Sequence, residues 1–214
     1  MKRQEVISER VFAFYLSSYN DPKLPSSLSF GSYDLEKYAL EDFSYVPVER
    51  TTGLWTVPLQ RISIGLEVLE ESRNAVFNTD SSLISISAAA FDQYRAVLCG
   101  LVACNSIDLS FPCENGEDAK LPMLTFTMGE QEFPIAPEHY VWRVDQQCYS
   151  LVVSTDSSED ELGHPFMLAY YTLFDAENYR IGLARSVSNP FPASNWYIWL
   201  GIGVIGVVVV AVAV

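Results

Sequence analysis

The chain has 214 residues, 49% of them hydrophobic and 19% charged, enough for one globular domain and too apolar for a disordered one. Its 13 Lys and Arg stand against 27 Asp and Glu, a net charge of −14, which excludes nucleic acid and anionic lipid surfaces as partners held by phosphate neutralisation. Eleven Gly and four Cys are too few for collagen-like or small disulfide-scaffold classes.

Short alternating apolar segments run through most of the chain. Val11–Ser17 and Leu28–Phe30, the latter closed by Gly31, read as strands separated by the turn-rich stretch SYNDPKLPSS. Phe43–Val48 and Trp55–Gly65 continue the pattern. In the second of these, Val57 and Leu59 alternate, then Ile62 and Ile64, with a bulge expected between the two pairs. Ser87 is a fair N-cap for a helix that buries Phe91, Tyr94 and Leu98, spaced i, i+3, i+7. Strands resume at Met123–Met128, Phe133–Ile135, Val141–Val144 and Tyr149–Ser154, and a last hairpin joins Tyr170–Phe174 to Arg180–Ala184. Many short strands with one or two short helices predict a mainly β lobe, a sandwich or barrel-like body.

The end of the chain differs in kind. Trp196–Val214 (WYIWLGIGVIGVVVVAVAV) carries no charge. As a helix it would span roughly 28 Å, close to the hydrocarbon thickness of a bilayer. Trp196, Tyr197 and Trp199 cluster at one end, where amphipathic rings favour the headgroup layer. The expected organisation is therefore a lobe over 1–188, a linker over 189–195 and one transmembrane helix over 196–214. MKRQEVISER has no apolar core and does not read as a signal peptide. Three topologies fit: the C-terminal part of a translocated precursor, a tail-anchored protein, or a lipid-anchor signal with Ser188 or Ser194 as cleavage candidates. A lumenal or extracytoplasmic lobe is the favoured expectation, with a tail-anchored or organellar placement as the alternative.

The order of the segments resembles the C-terminal lobe of pepsin-like aspartic proteases. VISERVFAFYLS, LSFGSYDLEKY, FSYVPV and LWTVPLQRISIG match its opening strands in order. LPMLTFTMGEQEFPIAPEHYVWRV and the closing LGHPFMLAYYTLFDAENYRIGLA match its later hairpins, so the likeness runs from about Val6 to Val187. AVFNTDSSLI falls where the family carries its second Asp-Thr-Gly-Thr-Ser-Leu motif.

The resemblance implies a catalytic position that this chain has lost. Anchored on Ser82-Leu83, the family Asp falls on Asn78, its Thr on Thr79 and its Gly on Asp80. Aspartic proteases need two carboxylates sharing one proton, and an Asn amide neither takes up nor releases that proton. A shifted register would make Asp80 itself the acid, at the cost of the Leu83 match. Glu161 also interrupts the apolar pair expected before Gly163. No counterpart of the first lobe, which carries the other Asp in relatives, lies in these residues. The expectation is a membrane-anchored, catalytically degenerate lobe serving as a structural or interaction subunit, with a protein partner over the face that meets the first lobe. The alternative is the C-terminal part of an active membrane-bound aspartic endopeptidase.

By the same resemblance Cys113 and Cys148 stand where the family places a C-lobe disulfide, which would close a loop of 35 residues. Such a bridge is worth about 4 kcal/mol on the chain-entropy estimate. Cys99 and Cys104 form either a second, small bridge or two buried thiols. His139 and His164 read as structural. The acidic stretch Asp156–Glu161 reads as a solvated loop, its spacing fitting no EF-hand. No cofactor and no metal site is expected, and there is no Asn-x-Ser/Thr sequon.

Overall fold

The computed structural model describes residues 7–17, 24–113 and 118–188. The expected linker and the span Trp196–Val214 lie outside these residues. Among the described residues no helix is long and apolar enough to cross a membrane.

Among the described residues fifteen strands make three sheets. A five-stranded antiparallel sheet is built from β1 (Val11–Tyr15), β2 (Ser27–Phe30), β3 (Ser44–Pro47), β14 (Tyr170–Asp175) and β15 (Arg180–Arg185), in the order β2-β1-β14-β15-β3. Its central strand β14 is buried at all six positions, because the two faces meet different apolar clusters. Phe174 and Tyr170 join the main core, where Phe174 stacks on Phe12 at 4.5 Å between ring centroids. Tyr171 and Leu173 face a smaller cluster with Val11, Ala13, Tyr15 and Tyr38. Tyr38 is presented by the one-turn helix α1 (Leu35–Tyr38), whose N-cap Asp34 accepts from Lys37 N at 3.0 Å.

The seven-stranded sheet carries the candidate site. It comprises β4 (Thr56–Ile64), β5 (Glu67–Phe77), β6 (Ile84–Ser87), β8 (Leu124–Met128), β9 (Gln131–Ile135), β12 (Val152–Thr155) and β13 (Asp160–Leu162). Their order is β12-β6-β13-β5-β4-β8-β9. The break in alternation expected in β4 falls on Gln60 and Arg61, both exposed, and the register with β5 shifts between Ile62 and Ser63. The remaining strands, β7 (Ser110–Pro112), β10 (Val141–Val144) and β11 (Gln147–Ser150), form a small third sheet.

The main helix is α2 (Ala88–Leu101), capped by the Ser87 hydroxyl, which accepts from Ala90 N as the sequence implied. Its buried stripe is Ala90, Tyr94 and Leu98, with Phe91 on the flank. Two further short helices, α3 (Pro137–Tyr140) and α4 (His164–Ala169), bring the number among the described residues to four rather than one or two. α1, α3 and α4 are too short to display a 3.6-residue period, which is why the pattern missed them. The expected strand Tyr149–Ser154 is divided at Leu151 between β11 and β12, which belong to different sheets.

The solvated-loop reading of Asp156–Glu161 needs correction. Its last two residues begin β13, and Asp160 is fully buried. Parallel pairing with β5 and antiparallel pairing with β6 draw this segment into the sheet despite its charge.

Candidate active site

β13 is inserted between β5 and β6, strands that follow one another in the chain. The connection from Asn78 to Leu83 must therefore pass over the C-terminal end of β13. Backbone bonds fix the crossing: Asn78 N donates to Leu162 O at 3.1 Å, and His164 N donates to Ser81 O at 2.8 Å. Gly163 lies directly under the loop. A Cβ there would stand 2.3 Å from Leu83 O and 2.5 Å from Ser81 O, so only glycine admits this approach.

The three residues singled out in the sequence sit in the loop together. Asn78 is half-buried at the end of β5, Thr79 likewise, and Asp80 is exposed. The Asn78 side chain is engaged at both ends. Its Oδ1 accepts from Asp80 N at 2.9 Å, and its Nδ2 donates to Glu161 Oε1 at 2.6 Å. The loop is tightened by Ser81, whose Oγ accepts from Leu83 N at 3.3 Å. The His164 ring Nε2 lies 2.9 Å from Thr79 O; since a carbonyl only accepts, that nitrogen carries the proton. His164 thus braces the loop, the structural part expected of it.

Glu161 is the residue that sequence reading undervalued. It registered only as a charge spoiling an apolar pair, whereas the structure sets its carboxylate against the amide of Asn78. The available signal was a double departure from the pattern that the resemblance implies, an amide at 78 and an acid at 161. Chemically, the pair sets a carboxylate against an amide across the crossing of β5 and β13.

The cysteines pair as two bridges. Cys113 is joined to Cys148 with Cα atoms 5.8 Å apart, and Cys99 to Cys104 at 5.0 Å, leaving no free thiol. The first ties the end of β7 to β11, and the second closes the turn after α2. Among the described residues no group of three or more His, Cys, Asp or Glu is arranged to hold a metal ion.

Comparison with known proteins agrees with this architecture. The family model described as Eukaryotic aspartyl protease matches residues 1–186. The chain belongs to the eukaryotic aspartyl protease family. Its relatives include vacuolar protease A of Aspergillus fumigatus, 30% identical over 192 residues that cover 87% of this chain and 47% of the relative. Human cathepsin D is 29% identical over 199 residues, covering 87% and 47%. Pregnancy-associated glycoprotein 1 of Bos taurus is 31% identical over 194 residues, covering 87% and 49%. The chain therefore spans about half the length of these relatives. The lobe is mainly β and pepsin-like, as the resemblance implied.

Proposed function

We propose that this chain acts as a catalytically degenerate aspartic-protease-like lobe, anchored to a membrane through Trp196–Val214 and serving as an interaction subunit. The supporting observation is that both ends of the Asn78 amide are already hydrogen-bonded, at the position where the resemblance puts a proton-transfer group. An amide so held can orient a neighbouring group but cannot shuttle a proton. The partner is a protein covering the face that in two-lobed relatives meets the other lobe, and the lobe stands on the lumenal side. The full chain, assayed against peptide substrates between about pH 3 and 7, should show no pepstatin-sensitive cleavage, because losing one positioned acid or base costs on the order of 10²–10⁴ in rate. Cleavage by the unmodified chain refutes the degenerate reading. Alkaline carbonate should leave the protein in the membrane pellet, and recovery of intact protein in the soluble fraction refutes the anchor.

Glu161 favours a second reading, in which the chain is half of an active endopeptidase. Its carboxylate lies close enough to Asn78 to serve a partner lobe's Asp. Adding a family first lobe in trans separates the two. Activity that appears with the unmodified chain and vanishes in Glu161→Gln supports the second reading; continued inactivity supports the first.

A further inference from the structure

Three charged side chains meet beneath the strand that carries Glu161. Asp160 on β13 is fully buried, and its Oδ1 lies 3.2 Å from Arg73 Nε on β5. Glu70, three residues earlier on the same β5, places Oε1 3.6 Å from that nitrogen. The Arg73 Nη2 is spent on Ser157 O at 2.8 Å, in the loop before β13. One guanidinium thus stands between two carboxylates at ion-pair distance, its buried Nε making no well-aligned hydrogen bond to either. Among the described residues neither Asp160 Oδ2 nor Glu70 Oε2 meets a donor, although both are buried.

The other elements packed here do little to relieve the surplus charge. From the β6–α2 junction comes only the Ser87 backbone N–H, which donates to Asp160 Oδ1 at 3.1 Å. Because Ser87 is the N-cap of α2, that bond sets Asp160 at the positive end of the helix, whose first turn holds no acid of its own, and this favours the ionised form against the cost of burial. On Asp160's own segment Glu159 and Glu161 flank it, and Glu161 is turned to Asn78. The cluster with both acids ionised carries one unpaired negative charge in a buried place, which is costly unless a proton removes it.

We propose that Glu70, Arg73 and Asp160 form an acid-operated clamp on β13, in which one proton taken up at Asp160 removes the surplus buried charge and tightens the seam that brings Glu161 and Gly163 to Asn78. Burial is the largest influence on Asp160 and pushes its carboxyl up to about 6, with Glu70 adding to the rise and Arg73 and the Ser87 N–H opposing it. The folded form therefore binds the proton more tightly than the unfolded chain. Stability from this group is fully present below the ordinary carboxylate value and is lost as pH rises through about 6. A shallow depression lined by Gln60, Arg73, Asn74, Ser158 and Glu159 gives solvent access to the cluster's edge. The clamp is independent of whether the lobe is degenerate or active, since it concerns the strand and not the chemistry.

The test is chemical denaturation of the full chain at pH 5 and pH 7.5, unmodified and with Asp160→Asn. The unmodified folding constant should gain about tenfold on acidification from this one group, and the substitution should remove that gain. A folded Asp160→Asn chain with the full pH dependence retained overturns the clamp. Should that variant fail to fold, carboxyl NMR titration of the unmodified chain decides: a midpoint for Asp160 near 6 supports the clamp, and one near 4 overturns it. The coupling to the site is read from hydrogen exchange at Asn78 N–H, which bonds Leu162 O. Its protection, corrected for the intrinsic rate, should rise on acidification, and an unchanged value overturns the link to the site.

Discussion

An acid at position 78, where the resemblance puts the family's, should not by itself make a family site. The Asn78 Nδ2 donates to Glu161 Oε1 at 2.6 Å, so Asn78→Asp replaces a donor by a second acceptor against an existing carboxylate. Side-chain rotation can part the oxygens to about 4 Å, where two unit charges repel by about 4 kcal/mol at an effective dielectric of 20. Both groups are partly solvated, and screening lowers that figure to about 1–3 kcal/mol, or about one to two pH units for the second ionisation. The raised carboxyl contributes stability that is present at low pH and lost as pH rises through its folded value. Asn78→Asp should therefore match the unmodified chain near pH 4 and melt below it at pH 7. Adding Glu161→Gln should close the gap at pH 7. Thermal unfolding across that range, with NMR titration of the carboxyl pair, measures both. An Asn78→Asp chain as stable as the unmodified one at pH 7, with both carboxyls titrating in the ordinary range, would show that Glu161 does not face position 78.

Gly163→Ala should destabilise the lobe by about 3 kcal/mol, because the new methyl group lies 2.3 Å from Leu83 O and the crossing loop must shift; chemical denaturation reads the change. Non-reducing peptide mapping should recover two linked pairs, Cys99–Cys104 and Cys113–Cys148. Replacing Cys113 and Cys148 together by Ser should cost about 4 kcal/mol, while free thiols at all four positions in native material would contradict the pairing.

The sequence alone settled what depends on local periodicity and chain order. The strands with a clean two-residue alternation, β1 and β8, were legible within a residue or two, as were the apolar runs of β14 and β15 and the Ser87 cap of α2. The order of those segments carried the family likeness, and the likeness singled out Asn78, Thr79 and Asp80, which the structure then put in the crossing loop. β5 was not legible: Glu67, Glu70, Glu71 and Arg73 crowd it, and Ser72 adopts a positive φ of 59° in its middle, so no alternation survives. β13 read as solvated loop because every residue of Asp156–Glu161 is polar, and its burial comes from two neighbouring strands remote in sequence. Only the tertiary structure could join Asn78 to Glu161, 83 residues apart, or set Asp160 against Arg73 and Glu70. Periodicity reports which face of a segment avoids water. It carries no record of which distant strand is inserted alongside, and that insertion decides which charges are buried together.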